Sequence, residues 1–263
     1  MSVDRARLGR LVSEEVARFE AERPHSKAQF EVAKSRMPDG VPMLWMAKWP
    51  GPWPVYVESA KGAHFTCLDG IDHVDLCLGD TGAMVGHSPD PTVRAVTSQL
   101  AKGITTMLPT EDAAIVAGML ADRFGVPMWQ FTLTATDANR AMIRYSRQVT
   151  GKSKVLVMDY CYHGSVDETF ATLDDQGSVV ERRGNIGAPV EPEATTVVVP
   201  FNDVAALEKA FASGDIACAL VEPAMTNIGI VLPDEGWHEA LRELCTTHGA
   251  VLIIDETHTV CAG

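Results

Sequence analysis

From about residue 89 onward, segments with helical periodicity alternate with short runs that are apolar throughout. Strands that are apolar on both faces have to be covered on both sides, and strands separated by helices pair in parallel. The alternation therefore predicts an α/β fold with a mostly parallel central sheet and helices on both faces. The predicted helices are 90–102, 111–124, 136–150, 203–212 and 234–248, and the predicted strands are 129–133, 154–158, 196–199, 217–221 and 251–254.

The N-terminal part has a different organisation. Residues 5–22 carry a helical pattern, and the five prolines within 37–54 predict an irregular segment whose three tryptophans are buried against a lobe or a partner subunit. Strand patterns at 54–58, 64–68 and 75–78 predict a small antiparallel meander. We therefore expect an N-terminal region over 1–80, part of a smaller lobe, and a large ligand-binding domain over 81–263.

Composition and charge exclude several classes of protein. The net charge of −13 argues against a nucleic-acid partner, because phosphate contacts require clustered Lys and Arg. No apolar run reaches the length of a membrane span, and the charged N-terminus has no secretory h-region, so a cytoplasmic protein without a membrane partner is expected. The six cysteines form no C-x-x-C pair, and His258 with Cys261 supplies only two ligands. Neither a disulfide framework nor a metal site is expected.

The ends of the predicted strands carry the candidate chemistry. In an open parallel sheet, ligands bind beyond the carboxyl ends of the strands. Thr134 and Thr136 lie where the first predicted strand meets a helix, a junction that suits a phosphate, although simple N-capping explains them as well.

Three further strand ends add to this picture. Tyr162 and His163 could offer a flat face to a conjugated ring, or they could be packing residues. Glu222 could be a functional carboxylate or part of a structural ion pair. Asp255 emerges from four apolar residues and needs a cationic or proton-bearing partner, such as a protonated pyridine nitrogen.

The order of these segments resembles the class III aminotransferases, which depend on pyridoxal phosphate. The resemblance runs from about residue 54 to the end, and it is greatest to glutamate-1-semialdehyde aminomutases and β-amino-acid transaminases. It implies fold type I of the pyridoxal-phosphate enzymes, a homodimer, and transfer of an amino group between a small-molecule amino donor and an oxo acceptor. The segments that carry it are Asp69-Gly70, Gly86-His87-Ser88-Pro89, TATDAN at 134–139, Tyr162-His163-Gly164, Val221-Glu222-Pro223 and Ile254-Asp255-Glu256.

The resemblance also implies roles for individual residues. Asp255 would pair with the pyridine nitrogen and keep it protonated, so that the ring accepts electrons when the substrate loses a proton. Glu222 would support the region of the ring hydroxyl, and these two carboxylates are the candidate catalytic residues. The predicted cofactor pocket comprises Thr134, Ala135, Thr136 at the phosphate, Tyr162 stacked on the ring with His163 beside it, Glu222, Asp255 and His258.

Three departures from the family pattern change what is expected. The family's Schiff-base lysine follows the pyridine aspartate, but all eight lysines here precede Asp255, so this chain alone should be inactive and the C-terminal part is missing. Ala135 stands where relatives commonly have glycine, which puts a methyl group near the phosphate. Residues 41–46 contain no arginine, although several relatives use one there to hold a substrate carboxylate. A more apolar substrate pocket is therefore expected.

Two alternatives remain open. The chain could be a non-catalytic homologue or a truncated product that binds a phosphate ligand or a partner chain. It could also be a nicotinamide-dependent oxidoreductase, but no G-x-G-x-x-G follows any predicted strand.

Overall fold

A computed structural model of the protein describes residues 3–260, and the chain divides between Leu108 and Pro109 into two compact units. The elements of the first unit are α1 (Arg5–Glu22), α2 (Pro24–Lys34), β1 (Val57–Lys61), β2 (His64–Cys67), β3 (Asp72–Val74) and α3 (Asp90–Leu100), with short 3-10 turns at Pro38–Gly40 and Leu44–Lys48. The three strands form an antiparallel meander of order β1-β2-β3. In chain order, two helices precede the meander and one follows it.

The Asp69-Gly70 turn of the meander fixes the start of α2. The Asp69 carboxylate accepts hydrogen bonds from the backbone N–H of His25 at 2.6 Å and of Ser26 at 3.2 Å. It also accepts one from the Ser26 hydroxyl at 2.5 Å. A side chain 43 residues away therefore satisfies N–H groups that a helix start leaves without an intrahelical acceptor.

One strand prediction for this unit was wrong, and the prediction of buried tryptophans is met in part. The third strand is Asp72–Val74, and residues 75–78 form a turn, because the Asp75 carboxylate accepts the N–H groups of Cys77 and Leu78, both at 2.9 Å. Of the three tryptophans predicted to be buried against a lobe or a partner subunit, Trp53 is buried within the chain. Trp45 and Trp49 are exposed on the single chain, so their burial against a partner subunit stays a prediction.

The second unit is built on a four-stranded sheet with helices against it. Its elements are α4 (Glu111–Phe124), α5 (Ala135–Thr150), β4 (Lys154–Met158), β5 (Ala171–Leu173), β6 (Val179–Glu181), α6 (Pro192–Thr195), β7 (Thr196–Val199), α7 (Val204–Phe211), β8 (Ile216–Val221), α8 (Trp237–Thr247) and β9 (Val251–Ile254). The sheet has the order β7-β4-β8-β9, and every described pairing in it is parallel. All six residues of the central strand β8 are buried, so both of its faces are covered, as predicted. Helix α5 packs against β8 and β9, whereas α7 and α8 pack against each other and against β7 and β9 respectively.

Two features of this unit differ from the expectation. Residues 129–133 form no strand, because they pair with no other strand in the described part of the chain, and Leu133 is 97% exposed. An antiparallel hairpin, β5–β6, follows the end of β4 and was not predicted. Its strands have three residues each, too short for the alternation of a half-buried strand to be recognised.

Candidate active site

The segments that follow the carboxyl ends of β4 and β9 and the first turn of α5 line a cavity of about 190 Å³. The parallel topology brings these ends to one edge of the sheet, as expected of an open α/β sheet. Seven of the eight predicted pocket residues line the cavity, and Glu222 is the exception. The lining residues are Thr134, Ala135, Thr136, Tyr162, His163, Gly164, Asp255, Thr257 and His258.

The start of α5 forms one end of the cavity. Thr134 is the N-cap: its hydroxyl accepts the N–H of Asp137 at 3.1 Å and donates to the Asp137 carboxylate at 2.9 Å. The first hydrogen bond of the helix runs from the Ala138 N–H to the Thr134 carbonyl. The N–H groups of Ala135 and Thr136 therefore have no acceptor within the helix and are available to an anion. N-capping and anion binding are therefore compatible here, since they use different donors.

The Thr136 hydroxyl has a second function. Its oxygen accepts the backbone N–H of Ser165 at 3.1 Å, which joins the start of α5 to the loop after β4. Gly164, at φ +76°, allows this approach, because a Cβ there would lie 2.0 Å from the Thr136 hydroxyl oxygen. The Tyr162-His163-Gly164 motif thus includes a glycine that sets the distance between loop and helix.

Asp255 follows β9, and its carboxylate receives four hydrogen bonds. Oδ2 accepts from Asn139 Nδ2 and binds His163 Nδ1, both at 2.8 Å. Oδ1 accepts from the backbone N–H of Thr257 at 3.0 Å and from its hydroxyl at 2.6 Å. Burial alone would raise the pKa of Asp255, but these hydrogen bonds and the His163 charge hold it well below its usual range. Asp255 is therefore an anion at neutral pH.

His163 is the buried partner of this carboxylate, only 1% exposed. Burial would lower the pKa of its imidazole, but the Asp255 hydrogen bond and the neighbouring Cys161 side chain raise it to about 9. The ring is therefore protonated at neutral pH, and both nitrogens are donors. Its Nε2 is buried and has no hydrogen-bond partner within residues 3–260.

Glu222 lies behind the cavity and not in its lining. This carboxylate is 5% exposed. It accepts the backbone N–H of Tyr162 at 3.3 Å, the N–H of Thr226 at 3.0 Å and the Thr226 hydroxyl at 2.7 Å. The Glu222 carboxylate thus connects the loop after β4 to the turn after β8 through hydrogen bonds. Contact between Glu222 and a cofactor ring remains a prediction.

Sequence reasoning assigned no role in the site to Asn139, Thr257 or Gly164, although Asn139 and Gly164 lie in segments that carry the family resemblance. Asn139 offered a signal: it shares the buried face of α5 with Ile143 and Ser146, where a polar side chain requires a partner. Thr257, two residues after Asp255, is a common donor position for an aspartate that bonds its own backbone. For Gly164 no local signal existed, since its role depends on Thr136, 28 residues earlier in the chain.

Metal and membrane sites have no support in the described part of the chain. In residues 3–260, no group of three or more His, Cys, Asp or Glu side chains could hold a metal ion. Cys261, the second half of the His258–Cys261 pair, lies outside the described residues. Within that same range, no helix is both long and apolar enough to cross a membrane.

The family model for class III aminotransferases matches residues 45–262. This chain belongs to the class III aminotransferases. Among curated relatives, the glutamate-1-semialdehyde 2,1-aminomutase of Methanocaldococcus jannaschii is 37% identical over 244 residues, which cover 89% of this chain and 55% of that protein.

Solved structures agree with this assignment. A glutamate-1-semialdehyde aminomutase from Pseudomonas aeruginosa PAO1 is 45% identical with a TM-score of 0.96, and the match covers 100% of this chain and 58% of that one. An omega-transaminase from Sphaerobacter thermophilus is 29% identical with a TM-score of 0.81, covering 90% and 56% respectively. The fold is fold type I of the pyridoxal-phosphate enzymes, and the chain spans little more than half the length of these relatives.

The cavity suits the cofactor on which this family depends. A variant of the Pseudomonas protein was solved in complex with PMP, and a transaminase 32% identical to this chain was solved with PLP bound. In this chain, the N–H groups at the start of α5 would suit a phosphate, and the anionic Asp255 carboxylate would suit a protonated ring nitrogen. The unsatisfied Nε2 of His163 is a further donor beside the same cavity. The residues present therefore fit a phosphorylated, nitrogen-containing ring.

Proposed function

We propose that the whole protein, of which this chain is a part, transfers an amino group between an amino acid or amine and an oxo acid or aldehyde with pyridoxal phosphate as cofactor. The observation that carries the proposal is the single cavity in which a helix N-terminus and an anionic aspartate lie together. Bound there, pyridoxal phosphate supplies an electron sink for the carbanion left when a substrate loses a proton.

The residues of this chain bind and orient that group in the proposal. The Ala135 and Thr136 N–H groups hold the phosphate, and the Asp255 anion holds a proton on the ring nitrogen. Tyr162, half-exposed at the cavity, lies against the ring face. Asn139 and His163 hold the Asp255 carboxylate in place, and Glu222 holds the backbone of Tyr162.

The lysine that the family chemistry requires lies outside this chain in our proposal. None of the described residues that line the cavity is a lysine. The test is to purify the full-length protein, add pyridoxal phosphate, reduce with borohydride and measure the intact mass and the modified peptide. One covalent cofactor on a lysine beyond residue 263 is expected.

The alternative is a non-catalytic homologue that binds a phosphate ligand or a partner chain, and the same cavity is compatible with binding a phosphate ligand without catalysis. A full-length mass with no adduct, together with saturable binding of pyridoxal phosphate before reduction, would support that alternative. An adduct on one of the eight lysines of this chain would contradict the location we propose for the reactive residue.

The substrate is proposed to be more apolar than a small dicarboxylate. The segment 41–46 has no arginine, and Met43, Leu44 and Trp45 present exposed apolar side chains. Activity of the full-length enzyme with apolar amines or β-amino acids is expected in a screen of amino donors. Acceptance of small dicarboxylates alone would refute this substrate class.

A homodimer in the cytoplasm is part of the same proposal. Large apolar side chains are strongly exposed in each unit, for example Met107 at 101% and Leu133 at 97%, and a second copy would cover such surface. The five described cysteines are free, in keeping with a reducing compartment. Light scattering of the full-length protein should give twice the chain mass, and cell fractionation should place it in the cytoplasm.

A further inference from the structure

The loop that carries Tyr162 and His163 is held by side chains from several separate elements. The carbonyl of His163 accepts a long hydrogen bond, 3.4 Å, from Asn139, and that of Ser165 accepts one from Arg140. The N–H of Ser165 binds Thr136. These contacts fix the second half of the loop to α5.

The first half of the loop is held from the opposite side by Arg182, the residue that follows β6. One guanidinium nitrogen, Nη1, donates to the carbonyl of Cys161, and the other, Nη2, donates to the carbonyl of Tyr160 at 3.4 Å. Tyr160 has a left-handed backbone, with φ +59°, which a non-glycine residue rarely adopts. The hairpin β5–β6 thereby places the Arg182 guanidinium next to Tyr160, the strained residue near the start of the loop.

The peptide bond between Cys161 and Tyr162 is therefore held at both ends by opposite charges. Its oxygen accepts from the Arg182 guanidinium, and its N–H donates to the Glu222 carboxylate at 3.3 Å. A peptide group is planar, so fixing its oxygen and its nitrogen fixes the direction in which the chain enters Tyr162. Charge-assisted hydrogen bonds are stronger than neutral ones, which suits them to hold a strained turn.

We propose that Arg182 and Glu222 clamp the Cys161–Tyr162 peptide bond and are positioning residues that aim the Tyr162 ring into the cofactor cavity. The inference rests on the proposed function, since it assigns these residues to the same cavity. Arg182 is not part of the cavity lining and donates to two backbone carbonyls, so its effect passes through the backbone. The hairpin β5–β6 gains a function as the support of this arginine.

The experiment uses the full-length protein with Arg182→Met, which keeps an unbranched apolar side chain about as long as the arginine stem and removes its donors. The matched control is Arg183→Met at the neighbouring, exposed arginine. The first readout needs no cofactor: hydrogen exchange of the Tyr162 amide in the apo protein, measured by mass spectrometry on overlapping peptides. We expect about tenfold faster exchange in Arg182→Met and less than about a twofold change in the control.

The second readout is the binding of pyridoxal phosphate. Two quantities are measured, the dissociation constant and the circular dichroism of the bound cofactor at saturation. About a tenfold weaker dissociation constant and a reduced dichroism per bound cofactor are expected for Arg182→Met. A merely structural role would not change the dichroism of the cofactor that does bind. Exchange at the wild-type rate in Arg182→Met overturns the clamp, and faster exchange with wild-type affinity and dichroism overturns the positioning role.

The design also covers a variant that does not fold and a wild-type protein that binds no cofactor. Should Arg182→Met not fold, Arg182→Lys carries the same test, because a single ammonium lacks the planar fork that reaches two carbonyls. Wild-type exchange and dichroism in that variant overturn the proposal. If the wild-type protein binds no pyridoxal phosphate, the proposed function and the positioning role both fall, while the exchange data still decide whether the clamp exists.

Discussion

At the scale of single residues, the buried pair of His163 and Asp255 determines the electrostatics of the cavity. The two side chains meet at 2.8 Å, with exposed side-chain fractions of 0% and 6%. A buried ion pair persists only when further hydrogen bonds satisfy it, and here Asn139 and Thr257 supply them. His163 and these donors thus keep the Asp255 carboxylate ionised at the position where a protonated ring nitrogen is proposed to bind.

The pair predicts a specific dependence of stability on pH. The pKa of His163 is raised from 6.5 to about 9, so its contribution is complete below pH 6.5 and is lost as the pH rises through about 9. The pKa of Asp255 is lowered from 3.8, so its contribution is present above pH 3.8 and is lost only in stronger acid. Between pH 6.5 and 9 we expect the apo protein to lose on the order of 2 to 3 kcal/mol of unfolding free energy through His163.

His163→Asn tests this prediction, because asparagine retains a neutral donor in place of Nδ1. The difference in unfolding free energy between wild type and variant, from urea titrations at several pH values, should shrink from pH 6.5 to 9. The control is His64→Asn: His64 and Asp72 also meet at 2.8 Å, but with side chains 52% and 64% exposed. Solvent screens such a pair, so the unfolding free energy of His64→Asn should change with pH in the same way as that of the wild type. A constant difference for His163→Asn would refute the prediction.

At the scale of elements, the close approach of α5 to the loop after β4 depends on Gly164. Replacement by alanine adds a Cβ 2.0 Å from the Thr136 hydroxyl and also strains the backbone at φ +76°. We expect Gly164→Ala to reduce the unfolding free energy by more than about 2 kcal/mol. Thermal and urea unfolding of the apo protein would measure it.

Two companion variants separate the two causes. Gly177 has nearly the same φ, +79°, and a Cβ added there would meet no atom within 4 Å, so Gly177→Ala reports the backbone strain alone, about 1 kcal/mol. Adding Thr136→Ala to Gly164→Ala removes the clashing hydroxyl and should recover part of the loss. Equal losses for Gly164→Ala and Gly177→Ala would mean that the close approach is unimportant.

The N-cap of α5 is the second element-scale prediction. Thr134→Ala removes the acceptor for the Asp137 N–H and should cost about 1 kcal/mol of unfolding free energy. Thr134→Ser retains the hydroxyl and should cost much less. Asp203→Ala, at the cap of α7 outside the cavity, provides a comparison, because its carboxylate accepts the Ala206 N–H at 2.9 Å. Only the Thr134 variant should also weaken pyridoxal phosphate binding, and equal binding in the two alanine variants would contradict a phosphate at α5.

At the scale of the whole molecule, the 263-residue chain by itself is expected to aggregate. Its exposed apolar side chains include Leu76 at 92%, Met107 at 101% and Leu133 at 97%, more than an isolated soluble chain usually presents to water. Light scattering of the purified chain should show large species at micromolar concentration, and the full-length protein should not. A sharp cooperative melt of the monomeric chain would contradict this expectation.

The sequence by itself determined the α/β class. A helix with one solvent-exposed face repeats its apolar residues about every 3.6 positions, and a strand buried on both faces is apolar throughout. The sequence also indicated seven residues of the cavity lining, most of them as residues at predicted strand ends and Ala135 and His258 through the resemblance to the class III aminotransferases, whereas the predicted Glu222 lies outside the lining. Only the tertiary structure decided the contacts between distant residues: Asp69 with α2, Asn139 with Asp255, and Arg182 with Cys161. Local patterns cannot encode such pairs, because each depends on the packing of elements far apart in the chain. For the same reason residues 129–133 have the composition of a strand without forming one: a strand requires a partner, and only the fold supplies it.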